Sequence, residues 1–206
     1  MMLLVGTRSA GKAAEIRTLL RGLPLEPVFP DERHLGREPA EVDLERGMTY
    51  VENAVAKARY FAQRGALPTL ADDSGIEVDA LGGAPGVQSA RWAGAAAGAG
   101  DQDRRNNARL LAELAGVPVE RRAARYRCVV AYLERLDGVP EIVEASCEGY
   151  ILDAPRGAGG FGYDPLFFST ELQMSFGEAP AAAKHRVSHR GRAMRALVEV
   201  LLRRSS

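Results

Sequence analysis

Two adjacent carboxylates, Asp72 and Asp73, followed by Ser74 and Gly75, are the residues with the most chemistry to offer. The mostly apolar run Leu67 to Ala71 leads into them. That pattern predicts a short buried strand that delivers the carboxylates to its tip, with Gly75 allowing a tight turn. Adjacent residues on an extended chain point to opposite faces. One aspartate can therefore face a cleft while the other braces the turn. A carboxylate in a cleft is a candidate general base or metal ligand. Asp-Asp-Ser-Gly is also ordinary turn chemistry, so its meaning depends on the rest of the chain.

A second set of candidates is Thr7-Arg8-Ser9-Ala10-Gly11-Lys12. It follows a short apolar strand, Leu3 to Gly6, and precedes a helix whose core face is Ile16, Leu19, Leu20 and Leu23. Ser9 suits the N-cap. Small residues at a strand-to-helix turn leave backbone N–H groups free, and a helix N-terminus attracts anions. Lys12 adds a cation in the first turn, where it opposes the helix dipole. Local conflicts of that kind tend to mark function. Gly6 to Lys12 also matches a Walker A pattern up to its last position, where Ala13 replaces the hydroxyl that would hold magnesium. A P-loop NTPase is therefore disfavoured. The loop can still bind phosphate, and a metal must be held elsewhere.

Further chemistry-bearing residues need other elements to position them. Asp31 to Gly47 reads as an acidic polar loop with little regular structure, closed by Glu45. Thr49-Tyr50-Val51-Glu52 is a capping box. The helix it opens runs to about Gln63, with Gly65 as its stop. Val51, Ala54, Val55, Ala58 and Phe61 or Ala62 form its apolar face, and Tyr50, Asn53 and Lys57 lie along another. Lys57 either lines a cleft or is solvated. Later, four glycines surround and precede Phe161 and Asp164 in Gly157 to Pro165. A flat ligand stacking on Phe161 needs backbone out of its way, and Asp164 could read its polar edges. Finally, Ser188 caps a helix with the apolar stripe Met194, Leu197, Val198, Leu201 and Leu202. Lys184, His189 and Arg190 gather at its start, against the dipole, which suits an anion or an electron-rich base edge.

The remaining elements are read more simply. Leu25 to Phe29 is a second strand, Ile76 to Val78 alternates like a strand, and Leu81 to Val87 is turn-rich. Trp92 is a packing or interface residue. Gly94 to Gly100 is a flexible connector by composition, after which Asp101 caps a helix through Ala108, Leu111, Leu114 and Ala115. Arg125 to Leu136 and Glu141 to Ile151 are long strands of a hairpin around Asp137-Gly138. A two-residue loop there sets Cys128 opposite Cys147. The 206 residues carry no formal net charge, which argues against a dedicated nucleic-acid or membrane-surface binder. No apolar run of about 18 residues occurs. The start, Met1 to Val5, lacks a basic leader and reads as a strand. With two cysteines and no export signal, a cytoplasmic setting with two buried thiols is expected. The pattern as a whole is α/β.

In these four blocks the chain resembles, over nearly its whole length, the inosine triphosphatase family of noncanonical purine nucleoside triphosphate pyrophosphatases. The blocks are Thr7 to Lys12; Tyr50 to Ala54 with Lys57; Ala71 to Gly75 continuing through Leu81 to Gly86; and Gly160 to Pro165 with Ser188-His189-Arg190. The resemblance implies one domain, 1–206, with a mixed sheet, flanking helices and two lobes around a central cleft. It implies hydrolysis of ITP, dITP and XTP to the monophosphate and pyrophosphate, with magnesium, by a homodimer. Asp73 would be general base and metal ligand, and Glu45 the other metal carboxylate. Thr7, Arg8, Ser9, Ala10, Gly11 and Lys12, with Lys57, would hold the triphosphate, and Ser74 would touch substrate. Phe161, Gly162, Tyr163 and Asp164 would meet the base, with Phe161 stacking on it. Lys184, His189 and Arg190 would read its edge. The family usually has Asn where this chain has Ser9, so one phosphate contact is weaker or water-bridged. Donors such as Arg190 suit a 6-oxo purine. Adenine would leave them unpaired, at roughly 1–3 kcal/mol each. Guanine shares the 6-oxo group, and its exclusion must act at the 2-position. A non-catalytic purine-nucleotide sensor is the rival reading, since it would keep Phe161 and Arg190 and need no Asp73 or metal.

Overall fold

A computed structural model describes residues 1–94 and 99–204. Seven strands form one mixed sheet in the order β2-β1-β3-β4-β5-β6-β7. They are β1 (Met2–Val5), β2 (Glu26–Val28), β3 (Thr69–Val78), β4 (Ala123–Leu133), β5 (Glu141–Ile151), β6 (Phe167–Ser169) and β7 (Met174–Ser175). Strand β1 runs parallel to β2, with Leu3 opposite Pro27, and to β3, with Val5 opposite Leu70. Antiparallel pairing joins β5 to β6 and β6 to β7. The helices are α1 (Ala10–Leu19), α2 (Tyr50–Gly65), α3 (Ala99–Glu113), α4 (Ala181–Val187) and α5 (His189–Arg204). None among the described residues is long and apolar enough to cross a membrane.

The chain divides into two compact units. The first comprises Met1–Asp73, Cys128–Ala145 and Ala193–Ser206; the second comprises Ser74–Arg127 and Ser146–Arg192. The core of the first gathers Leu3, Val5, Ile16, Leu20, Leu70, Val130, Met194 and Leu197. That of the second gathers Ile76, Val78, Leu110, Leu114, Ile151, Leu166, Phe167 and Phe176. Apolar residues at period two from the strands and at helical spacing from α1, α3 and α5 thus supply the buried faces.

Several expectations are corrected. The strand carrying the aspartates does not end at them: β3 continues for ten residues through Ser74 and Gly75, and Gly75 makes no turn. Residues 134–140 link β4 to β5, a longer connection than Asp137-Gly138 alone, so the two-residue register does not apply. Both cysteines are free and buried. Burial pushes the Cys147 thiol up to about 12, which keeps it protonated. Helix α2 includes Gly65, and the left-handed C-cap is Ala66 (φ 50°). Gly65 is needed instead for close packing, since a methyl there would collide with the Leu4 side chain. Helix α3 begins at Ala99, with Asp101 inside its first turn; the connector read at Gly94 to Gly100 lies mostly outside the described residues. The acidic loop has little regular structure, as expected, and its one ordered piece is a 3₁₀ turn, Pro39–Asp43. Lys184 sits on α4, a short helix the sequence reading missed. Leu202, at the end of the expected apolar stripe, is exposed.

Candidate active site

In the first unit, Asp72 and Asp73 point to opposite faces of β3, as extended backbone requires. Asp73 is bonded twice: Asn53 Nδ2 donates to Oδ2 at 2.9 Å and Lys57 Nζ to Oδ1 at 3.0 Å. The same ammonium donates to Glu45 Oε1 at 2.7 Å. Helix α2 places Asn53 and Lys57 one turn apart, and its start is fixed by the Thr49–Glu52 capping box. Both side chains are buried with the helix's apolar face, so the face read as separate is part of the buried one. Burial works against the Lys57 charge. Asp73, Glu45 and Asp72 outweigh it and hold the pKa above the usual lysine range. Lys57 is therefore a permanently charged group shared by carboxylates.

Asp72 is fully buried and pairs with Lys12 Nζ at 3.1 Å. This resolves the conflict noted at α1: the cation in the first turn has a counter-ion on the neighbouring strand. The Cys128 thiol donates weakly to Asp72 Oδ2 at 3.9 Å. Ser9 caps α1, accepting from Lys12 N, and donates its own N–H to Thr7 Oγ1 at 3.2 Å. The amides of Ala10 and Gly11 open the helix, where its geometry supplies no intrahelical acceptor. Gly6 keeps the entry open for Phe61, whose ring lies 2.7 Å from where a methyl would be. Arg8, expected among the phosphate ligands, turns its guanidinium to the acidic loop, donating to Glu41, Asp31 and the carbonyls of Leu35 and Gly36.

In the second unit, Asp164 organises the other cluster. Its Oδ2 accepts from Lys184 Nζ at 2.6 Å and Phe161 N at 2.9 Å, and Tyr126 Oη donates to Oδ1 at 3.4 Å. The Phe161 ring has Lys184 Nζ 5.2 Å and Arg190 Cζ 5.7 Å from its centroid. Arg190 is almost wholly buried and donates to Ser74 Oγ at 2.8 Å. His189 stacks on Tyr126 at 4.6 Å, with its Nδ1 3.9 Å from Cys147 Sγ. Ser188 caps α5 by accepting from Gly191 N at 3.1 Å. Tyr163 is buried and donates to Ser89 O at 2.9 Å. Its phenol is pushed above the tyrosine range by burial and by Asp103.

Sequence reasoning placed Asn53 beside Lys57 and named Asp72 as a possible brace, but it missed other supports of these groups: Tyr126 and two residues of α3. Asp103 Oδ2 accepts from Gly162 N at 2.8 Å and Asn107 Nδ2 donates to Gly162 O at 3.0 Å. One helix face, at i and i+4, thus brackets both polar groups of the residue after Phe161. The i, i+4 polar spacing was visible in the sequence; its distant target was not.

Gly160 and Gly162 both have positive φ, 73° and 64°. A methyl at Gly160 would strike the Asp164 carboxylate, whereas one at Gly162 meets nothing within 4 Å. Gly162→Ala is expected to cost about 1–2 kcal/mol, from left-handed backbone alone. Gly160→Ala should cost clearly more, because it also drives Asp164 off Lys184. Urea denaturation of the two variants measures the difference; equal losses would remove Gly160 from the support of Asp164.

One unit of this α/β protein thus holds carboxylates and lysines beside a helix start, and the other an aromatic ring flanked by buried cations. The chain belongs to the Ham1 family, whose model matches residues 3–200. It is 47% identical over 203 residues to a dITP/XTP pyrophosphatase of Geobacter sulfurreducens, covering 97% of this chain and 96% of that one. It is 43% identical to a dITP/XTP pyrophosphatase of Yersinia pseudotuberculosis, covering 97% of each. The structure of a HAM1 protein from Coxiella burnetii superposes with a TM-score of 0.84 at 36% identity, over 98% of this chain and 99% of that one.

Proposed function

We propose that the protein hydrolyses noncanonical purine nucleoside triphosphates, ITP, dITP and XTP, to the monophosphate and pyrophosphate. The observation that carries this reading is the Lys57 ammonium held between Asp73 at 3.0 Å and Glu45 at 2.7 Å. Its support from outside the chain is the name dITP/XTP pyrophosphatase borne by relatives that match it end to end.

The donors fit a magnesium ion. Asp73 and Glu45 bring two carboxylates to one point, at 3.0 and 2.7 Å from the same ammonium, and carboxylate oxygens are the donors magnesium takes. Among the described residues no group of three or more His, Cys, Asp or Glu side chains is gathered for a metal. Magnesium is commonly bound by one or two carboxylates together with waters and substrate phosphates. Glu45 and Asp73 would hold it. When bound, it neutralises polyphosphate charge and lowers the pKa of a bound water.

The chain's own residues do the rest. Asp73 accepts the proton of the attacking water. Asn53, donating to Oδ2, leaves that carboxylate one fixed orientation. Lys57 and Lys12 stabilise charge on the phosphates, and the Ala10 and Gly11 amides receive phosphate oxygens. Phe161 takes the base face. Ser74, His189 and Arg190 offer hydrogen bonds at its edge, with Lys184 fixed by Asp164. A 6-oxo purine accepts from such donors; a 6-amino purine leaves them unpaired. A homodimer and a cytoplasmic setting belong to the same reading, the second supported by the two free buried thiols.

The test is pyrophosphate release from a panel of nucleoside triphosphates, with and without magnesium. The expected result is magnesium-dependent release from ITP, dITP and XTP, with ATP and GTP far slower. Orthophosphate from ATP would overturn the reaction, and binding without release would leave a sensor.

A further inference from the structure

Helix α2 carries one polar stripe: Asn53, Lys57, Tyr60 and Arg64, spaced by four, three and four residues, so that they lie on one face. Its first half serves Asp73 and Glu45. The second half serves a different cluster, centred on Glu41. Glu41 Oε1 accepts from Arg8 Nη2 at 2.8 Å, Arg64 Nη1 at 3.2 Å and Tyr60 Oη at 3.3 Å, while Oε2 accepts from Arg8 Nε at 2.9 Å. Arg64 Nη2 also pairs with Glu38 Oε1 at 2.9 Å and donates to Gly36 O at 2.9 Å. Arg8 adds bonds to Asp31, Leu35 O and Gly36 O and lies over the Phe61 ring at 5.6 Å.

The Arg8 guanidinium thus has every nitrogen committed to the acidic loop. Its fork spans one carboxylate bidentately and reaches two carbonyls, a geometry lysine lacks. Arg8 is adjacent to the Ser9 cap of the phosphate loop, and Glu41 lies four residues before Glu45. The Glu41 side chain is only 13% exposed, the Glu45 side chain 39%. The loop therefore has a buried, multiply bonded point at Glu41 and a more open one at Glu45.

We infer that Arg8, Glu41 and Arg64 are positioning residues: they pin the loop Asp31 to Gly47 to the phosphate loop and to α2, so that Glu45 is presented beside Lys57 and Asp73. This rests on the reading of Glu45 as a metal carboxylate. In this role Arg8 touches no phosphate with its side chain. The clamp lets Glu45 exchange its lysine contact for a cation while the rest of the loop stays in place.

The experiment is direct binding of Mn²⁺, as a spectroscopic stand-in for magnesium, measured by electron paramagnetic resonance. It uses the full chain as wild type, Glu41→Gln and the milder Arg64→Lys. Glu41→Gln should weaken Mn²⁺ binding by about tenfold, the low end of what losing the support of a metal ligand costs, although Glu41 acts through the loop and not by a bond to Glu45, and Arg64→Lys by less. Metal-free binding of inosine monophosphate, by calorimetry, should be unchanged in both. A general loss of structure would move both readouts, and a clamp moves only the first. Wild-type Mn²⁺ affinity in both variants overturns the inference and leaves the functional reading intact. A wild-type protein that binds no Mn²⁺ overturns both.

Discussion

Asp73→Asn is expected to lower pyrophosphate release by about 10²–10⁴-fold, the range for loss of a general base, while inosine monophosphate still binds. The substitution keeps the shape of the side chain and removes its charge. Asn53 Nδ2 and Lys57 Nζ both donate to the carboxylate. An amide can accept at one end only, so one of these donors must turn away. Phe161, Asp164, Lys184 and Arg190, proposed to meet the base, belong to the other unit and keep their own partners. The loss should therefore fall on kcat, with calorimetric affinity for the monophosphate unaltered. Because Asp73 is also a proposed metal carboxylate, part of the loss should reappear as a raised magnesium requirement. Turnover that survives at saturating magnesium would show that the proton goes elsewhere.

Local signals read well from the sequence, and those that depend on distant neighbours did not. The Thr49–Glu52 box and the Ser9 and Ser188 caps stand where the residue types place them, because capping is decided within four residues. The α/β pattern likewise follows from local periodicity. Lys57 could be read as solvated or cleft-lining, because its burial depends on Asp73, 16 residues away. Strand β3 was expected to stop at Asp73 because adjacent carboxylates and a glycine resemble a turn. It continues because each aspartate has a lateral cation on its own face, Lys12 for Asp72 and Lys57 for Asp73. Those pairings are tertiary, and no local rule contains them. Arg8 is the same case: it lies among residues that could meet phosphate, while its side chain is taken by a carboxylate 33 residues on. Helix α4 was hidden by its brevity: seven residues, Ala181–Val187, are too few to show an apolar periodicity.

Lys57→Met is expected to destabilise the metal-free protein by about 3–5 kcal/mol, the cost of removing one partner of a buried ion pair. Lys57 and Asp73 side chains are 8% and 7% exposed, so water cannot replace the lost ammonium at Asp73. Glu45, at 39%, is screened by solvent and adds less. The variant then leaves the buried Asp73 without the Lys57 ammonium, and a divalent ion becomes the remedy. Magnesium should raise the thermal midpoint of Lys57→Met more than that of wild type. At a hundredfold excess over its dissociation constant, ligand binding contributes about 2.7 kcal/mol, enough to offset most of the loss. The rescue should be of stability and not of turnover, because Lys57 is also proposed to stabilise phosphate charge. Combining Lys57→Met with Asp73→Asn should recover much of the metal-free stability and abolish the magnesium effect, since contacting residues couple. Equal magnesium shifts in wild type and Lys57→Met would mean that the cation binds away from this cluster. A fully stable Lys57→Met would mean that the ammonium is not what balances Asp73.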